Sequence, residues 1–232
     1  MTETPPPYGT PDHPRVAVRG EARLEVDPET ARIGITVTAR GKDRRTALED
    51  LTRRNNHVLE LARTYGQAVE KLETGALSLT PELTPRGRDE KIRAYHGRVH
   101  VTAVLNDFTA LGELTTRIAD LDMTRVDGPW WSLRPDSPAH ATARRQAVHE
   151  AVQRAREYAD ALGAHLTALV ELADLGAENT APLAMPAPPG GIRGRAAYGS
   201  ATEPAPALDL EPQRQTVYAQ VNARFTMSPP QL

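Results

Sequence analysis

The sequence contains no cysteine, which removes thiolate nucleophiles, iron–sulfur clusters, zinc ribbons and disulfides at once and leaves the redox compartment open. It is also poor in lysine, since only Lys42, Lys71 and Lys91 among its 28 basic residues are not arginine. Codon usage produces such a skew, so it carries no binding meaning. Charge imbalance is missing too. The 28 Lys plus Arg meet 30 Asp plus Glu for a formal charge of -2, which argues against a chain built mainly to hold a phosphate backbone. No run approaches the ~20 apolar residues of a membrane-spanning helix. The Pro-rich start has neither a basic segment nor an apolar stretch, so residues 1–14 read as a disordered leader rather than an export signal. The expectation is a cytoplasmic protein without a membrane span.

Short catalytic signatures are equally scarce. No GxGxxG or GxxxxGK[ST] run follows a strand. The nearest glycine-rich element, Gly190 to Gly194, lies among prolines with no helix after it to aim amides at phosphate. Ser78, Ser132, Ser137 and Ser200 are the serines worth checking, and none sits in a GxSxG elbow. Asp120, Asp122 and Asp127 read as solvated loop carboxylates. His96 and His100 share a strand face, but four residues at ~3.3 Å each hold them ~13 Å apart, too far for one ion. His13, His57, His140, His149 and His165 add no ligand spacing, so no metal and no cofactor is expected. Arg144, Arg145, Arg154 and Arg156 share a helix with Glu150, Glu157 and Asp160, and Arg53-Arg54 and Arg86-Gly87-Arg88 are likewise offset by acids. That interleaving favours solvated ion-paired faces over specific nucleic-acid binding.

What the 232 residues do contain is periodicity. A chain of this length removes roughly 70% of its extended surface from water on folding and needs no staples. Val16, Val18, Ala22, Leu24 and Val26 alternate with Arg19, Glu21, Arg23 and Glu25, and Ile33, Ile35 and Val37 alternate with Arg32, Thr36 and Thr38. The two runs, joined at Asp27-Pro28-Glu29, are expected to pair as an antiparallel hairpin. From Lys42 to Tyr65 the period becomes 3.6, with Ala47, Leu48, Leu51, Asn55, Val58, Leu59 and Ala62 on one stripe, a helix expected to lie on that hairpin. Strands follow at 72–81 and 95–105, separated by a loop at 84–91. A helix at 108–119 and a strand at 125–133 come next.

In the 95–105 strand Tyr95, Val99, Val101, Ala103 and Leu105 share one parity, and His96, Arg98, His100 and Thr102 share the other. Trp130 and Trp131 are adjacent on a strand, so at most one enters a given core face. Asp136-Ser137-Pro138 opens a helix to Gly163, with Ser137 as cap and Pro138 in the first turn. Val148, Ala151, Val152, Ala155, Tyr158, Ala159 and Leu162 form its expected buried stripe. A strand at 166–175 precedes a Pro/Ala/Gly-rich insertion at 177–212, read as extended and partly disordered. A regular terminal strand at 215–227 must pair back to the sheet, and residues 228–232 read as a frayed tail. The order strand-strand-helix-strand-strand-helix-strand-helix-strand-strand is α+β, with antiparallel strand pairs alternating with amphipathic helices packed on the sheet. Residues 15–227 form either one compact domain or two subdomains sharing the long helices.

Several runs carry a resemblance. These are Val-Ala-Val-Arg-Gly-Glu-Ala at 16–22, the Asp-Pro-Glu-Thr-Ala turn at 27–31, Leu-Glu-Thr-Gly-Ala-Leu-Ser-Leu-Thr-Pro at 72–81 and Ile-Arg-Ala-Tyr-His-Gly-Arg at 92–98. The helix ending Tyr158-Ala159-Asp160-Ala161-Leu162-Gly163 and the 217–227 strand complete the set. Together they resemble the SIMPL domain family (DUF541), whose bacterial members include periplasmic and outer-membrane-associated proteins linked to oxidative-stress defence. The resemblance implies an α+β fold and, from one relative, a large ring-like oligomer. It supplies no catalytic residues. The missing export signal and the 177–212 insertion depart from the family's pattern.

The functional expectation is a non-enzymatic module that forms a homo-oligomer or binds a protein partner through its polar strand faces and tryptophan segment. The alternative is a small-molecule binder or hydrolase with a cleft near the His96/His100 strand, using Tyr95, His96, His100, Trp130 and Trp131, where histidine beside aromatics serves as base or stacking contact.

Overall fold

The computed structural model describes residues 9–83, 91–174 and 208–231. Its elements run β1 (Arg15–Val26), β2 (Thr30–Gly41), α1 (Arg44–Arg63), a short 3-10 turn (Gly66–Ala68), β3 (Val69–Leu83), β4 (Ile92–Leu105), α2 (Phe108–Ala119), β5 (Thr124–Ser132), α3 (Pro138–Ala161), β6 (Leu166–Asp174) and β7 (Gln215–Met227). The order is the α+β one that the periodicities predict. Each long helix begins where a side-chain oxygen replaces a missing backbone acceptor. Asp43 accepts from the Thr46 N–H, Asp107 from Thr109 and Ala110, and Ser137 from Ala139 with Pro138 just inside the helix.

The strands divide between two sheets in two compact units. One unit holds a three-stranded sheet, β1-β7-β6, together with α3. The other holds a four-stranded sheet, β3-β4-β2-β5, with α1 and α2. The expected β1–β2 hairpin is therefore corrected. β2 is central in its sheet, with Ile35 opposite Val101 on β4 and Val126 on β5. Both edges of β2 are taken along most of its length, so β1 has nowhere to pair and joins β7 instead. Residues 27–29 become a connection, pinned by the Glu29 N–H to the Ser132 carbonyl at 3.0 Å. Helix α1 lies on β2 and β4 rather than on a hairpin.

In the four-stranded unit Ile33, Ile35, Val37, Val99, Val101 and Leu105 meet Leu51, Val58, Leu111, Leu114 and Ile118 from the helices in one core. Leu48, expected in the buried stripe of α1, is exposed. In the other unit the stripe of α3 is corrected as well. Tyr158 is 55% exposed and Leu162 also reaches solvent, whereas Ala143, Ala147, Ala151, Ala155 and Ala159 are fully buried. Spacing of four keeps five methyl groups on one line, and a line of methyls lets the helix backbone approach the sheet closely. The approach is tightest at Gly20 on β1, where a Cβ would stand 1.9 Å from the Ala147 carbonyl oxygen.

The segments expected to be loose are partly docked. Pro14 accepts from the Met227 N–H at 3.0 Å, and the tail is held by Ser228 N–H to His165 O at 2.9 Å and Gln231 N–H to Leu162 O at 3.0 Å. Most of the 177–212 insertion, the 84–90 loop and residues 1–8 lie outside the described residues. Residues 208–212 do not, and Leu208 donates to the Thr116 hydroxyl of α2 at 3.1 Å while Leu210 packs on the core of that unit.

Two glycines separate close packing from mere strand geometry. Gly20→Ala pushes a methyl into helix backbone and is expected to cost about 3 kcal/mol. In Gly75→Ala the new Cβ would meet its nearest atom at 3.6 Å, and stability should change by less than about 1 kcal/mol. Urea unfolding of both variants checks this, and equal losses would show that α3 does not depend on that contact.

Candidate functional site

The side chains of β4 alternate between the helix-covered core and an outer face left free by α1 and α2. Tyr95 shares the parity of buried Val99 and Val101, and the Arg44 guanidinium of α1 lies 5.5 Å from its ring centroid. Trp131 also faces inward, edge-on to Phe108 with ring centroids 4.8 Å apart. His96, His100 and Trp130 take the outer face. The structure thus splits the five candidate residues between two sides of one sheet: Tyr95 and Trp131 do not join a cleft with the other three.

On the outer face the three separate again. His96 Nε2 meets Glu82 Oε2 at 2.7 Å, and the same oxygen accepts from Arg40 Nε at 3.1 Å and Nη2 at 2.8 Å, with Arg93 at 3.8 Å from the other oxygen. The hydrogen bonds from His96, first, and Arg40 hold the Glu82 carboxyl below the usual carboxylate range. His100 sits four positions along, with Nδ1 3.4 Å from the Thr36 hydroxyl. Its ring and that of Trp130 converge above Gly34, where a Cβ would be 3.0 Å from His100 Cε1 and 3.4 Å from Trp130 Cη2. Arg32 completes this second cluster, its guanidinium carbon 4.6 Å from the Trp130 ring centroid.

The His96–Glu82 pair orients an imidazole, but no hydroxyl is hydrogen-bonded to His96 among the described residues, so no nucleophile is poised beside it. Ser132 is engaged with Thr30, oxygen to oxygen at 3.0 Å, and Ser137 caps α3. Ser200 lies outside the described residues. Asp127 is taken by Arg125 at 2.9 Å. Among the described residues no three His, Asp or Glu side chains gather as a metal site, and no helix is long and apolar enough to cross a membrane. An open groove of about 890 Å³ runs beside α1, lined in part by Leu48, His57, Glu60 and Leu121, and it includes none of the five candidates. Arg32, Gly34, Thr36, Arg40 and Glu82 are the neighbours missed by sequence reasoning. Parity places Arg32 and Thr36 outward, but only cross-strand register brings them to particular histidines.

The SIMPL family, described as a protein of unknown function (DUF541), matches residues 16–225, and the chain belongs to it. It is 25% identical over 186 residues to the 26 kDa periplasmic immunogenic protein of Brucella melitensis, covering 77% of this chain and 72% of the relative. The protein of the same name from Brucella abortus matches with the same identity and coverage. A solved Burkholderia cenocepacia structure described as an amidohydrolase/peptidase is 18% identical, covers 57% of this chain and 33% of its own, and has a TM-score of 0.23, too low to carry argument.

The Glu82 cluster yields a pH signature. The folded-state carboxyl titrates below the unfolded one, so its contribution to stability is complete above the unfolded value of about 4.3 and fades as pH falls through the lower folded value. Glu82→Gln should therefore be less stable than the parent at pH 7, and the gap should narrow as pH falls below about 4.3. Urea midpoints measured from pH 7 downward check this, and a gap that does not narrow as pH falls would assign it to packing instead.

Proposed function

We propose that this SIMPL-family chain is a non-enzymatic, self-associating module whose contact is the outer edge of β6. The observation that supports this reading is how unlike the other sheet edges β6 is. Exposed strand edges invite pairing, and proteins blunt them with charge, proline, bulges or cover. At the β1 edge the Glu21 N–H is already satisfied by the Glu150 carboxylate of α3 at 3.0 Å. Edge strand β3 carries Glu70, Lys71, Glu73 and Pro81 with three register breaks. On β5 a register break and Pro129 interrupt the edge.

Edge strand β6 reads Leu-Thr-Ala-Leu-Val-Glu-Leu-Ala-Asp, without proline, glycine or lysine. It has two register breaks, yet Leu169, Val170 and Leu172 are 54%, 42% and 46% exposed. Beside it a groove of about 400 Å³ between α3 and β6 is lined by Val152, Leu166, Leu169 and Phe225 among others. A second copy satisfies this edge with one symmetric contact, because antiparallel β6–β6 pairing joins two three-stranded sheets across a two-fold axis. It also sets the His165 end of each strand beside the Asp174 end of the other.

Among the described residues no hydroxyl is hydrogen-bonded to His96, so its pairing with Glu82 has no nucleophile to activate, and this supports the non-enzymatic half of the proposal. In the tryptophan segment expected as a contact surface Trp130 is 44% exposed, whereas Trp131 is partly buried against the core beside Phe108. The Brucella relatives carry periplasmic names while the composition fits the cytoplasm equally well, and a cysteine-free chain suits either compartment.

Light scattering after size exclusion tests the reading. The parent should show a mass that is a multiple of 25.3 kDa and grows with concentration. The Leu169→Lys/Leu172→Lys double variant should remain monomeric with an unchanged circular dichroism spectrum. A monomeric parent at every concentration removes self-association and leaves the β6 edge for a different protein partner. An assembled parent whose variant assembles equally well moves the contact elsewhere.

A further inference from the structure

The outer face of the four-stranded sheet holds a second feature, independent of the β6 edge. Outward positions on its strands carry the cations Arg32, Arg40, Lys71, Arg98 and Arg125 and the carboxylates Glu73, Glu82 and Asp127. The carboxylates are consumed one by one, in Lys71–Glu73 at 2.8 Å, Arg40–Glu82 at 2.8 Å and Arg125–Asp127 at 2.9 Å. Two cations are left. Arg98 has no ion-pair or hydrogen-bond partner among the described residues, and Arg32 lies over Trp130 without a carboxylate. A chain with a formal charge of -2 thus presents a locally positive face.

The two surplus cations are not adjacent. Arg98 is opposite Thr38 on β2, six residues from Arg32, so about 20 Å of sheet separates them at ~3.3 Å per residue. Between them lie Thr36, Thr102 and the joined rings of His100 and Trp130 over bare Gly34, with Trp130 44% exposed despite Arg32. An extended row of cation, aromatic surface and cation suits a ligand in which negative charges and flat rings alternate along a flexible chain.

We propose that this face binds single-stranded nucleic acid without sequence preference. Arg98 and Arg32 take phosphates, and the Trp130 and His100 rings stack unpaired bases. The elements of this unit run β2-α1-β3-β4-α2-β5 in the sheet order β3-β4-β2-β5, a split βαβ arrangement with both helices on one side. That topology leaves the other face open, but topology alone assigns no ligand; the surplus cations and the exposed Trp130 ring beside His100 do. A duplex buries its bases and would use only the two cations. A peptide whose side chains are carboxylates alone has no rings to offer His100 and Trp130. Arg53 and Arg54 lie on α1, and Arg144, Arg145, Arg154 and Arg156 lie on α3, so the sequence argument from their interleaved acids does not concern this face.

The test is fluorescence anisotropy of a labelled 15-nucleotide oligothymidine titrated with the full chain at several salt concentrations. Two phosphate contacts predict that log K falls with log salt with a slope near -1.4, at about 0.7 per phosphate on a single strand. Arg98→Ala should reduce that slope to about half. Trp130→Ala should weaken binding by roughly 5- to 150-fold at every salt concentration and leave the slope alone, since stacking is not an ionic contact. Both side chains are exposed, and a melting curve confirms that each variant is folded. The proposal is overturned if the oligomer does not bind at low salt, if neither substitution matters, or if a duplex of equal length binds as tightly. It is also overturned if poly-glutamate or inorganic polyphosphate competes as well as unlabelled oligothymidine, which would reduce the face to plain charge.

Discussion

The arrangement of the chain follows from the central place of β2 in its four-stranded sheet. Ile33, Ile35 and Val37 are fully buried against the helices, and on the opposite side Thr36 is nearly closed off as well. A strand in that position must have neighbours on both edges, because an unpaired backbone amide away from water costs about as much as a lost hydrogen bond. β4 and β5 supply them. The strand that precedes β2 in sequence then has no edge to join, and β1 is committed to a sheet built with the last strand of the chain. The two-unit division and the distant β1–β7 pairing both descend from one strand's need for two partners.

Close approach governs the second unit in the same way. An alanine line on α3 would be a weak anchor at ordinary helix-to-sheet distance, since each methyl buries little area. It becomes an effective one when the facing strand has no side chain in the way, as at Gly20. Glycine on the strand and alanine on the helix act together, and α3 comes near enough for Glu150 to reach the Glu21 amide. The contact that builds this core also satisfies one amide at the β1 edge of its sheet, while the opposite edge, β6, carries the exposed leucines.

Alternation and the 3.6 period exposed the order of elements because each reports only on the residue's own side chain direction. The start of α2, the Ser137-Pro138 entry to α3 and the bounds of β7 were legible in the sequence. Pairing was not, because amphipathicity states which face is wet and is silent about the neighbour. Of the expected α3 stripe Ala151, Ala155 and Ala159 are buried, while Tyr158 and Leu162 reach solvent, because proximity to Gly20 selects the alanine line. At the candidate site, parity separated Tyr95 from His96, and adjacency separated Trp130 from Trp131. Glu82 beside His96 and Gly34 beneath His100 depend on register across three strands, and nothing local encodes that.

The scale of the two proposed contacts also relates them. A nine-residue strand added to an edge gains net stabilisation of only ~1 kcal/mol per backbone hydrogen bond, and such a contact covers less than the ~1,600 Å² of a standard interface. Pairing at β6 is then weak unless Leu169 and Leu172 are covered in the same event, which makes association concentration-dependent. Two phosphate contacts and one or two stacked bases are weak for a single copy as well. An assembly carries one such face per subunit, and a strand held by the first face meets the second at an effective concentration rather than a free one. Weak pairing and weak nucleic-acid binding would therefore reinforce each other by linkage: a ligand that engages two faces stabilises the paired state, and pairing raises apparent affinity by the same factor.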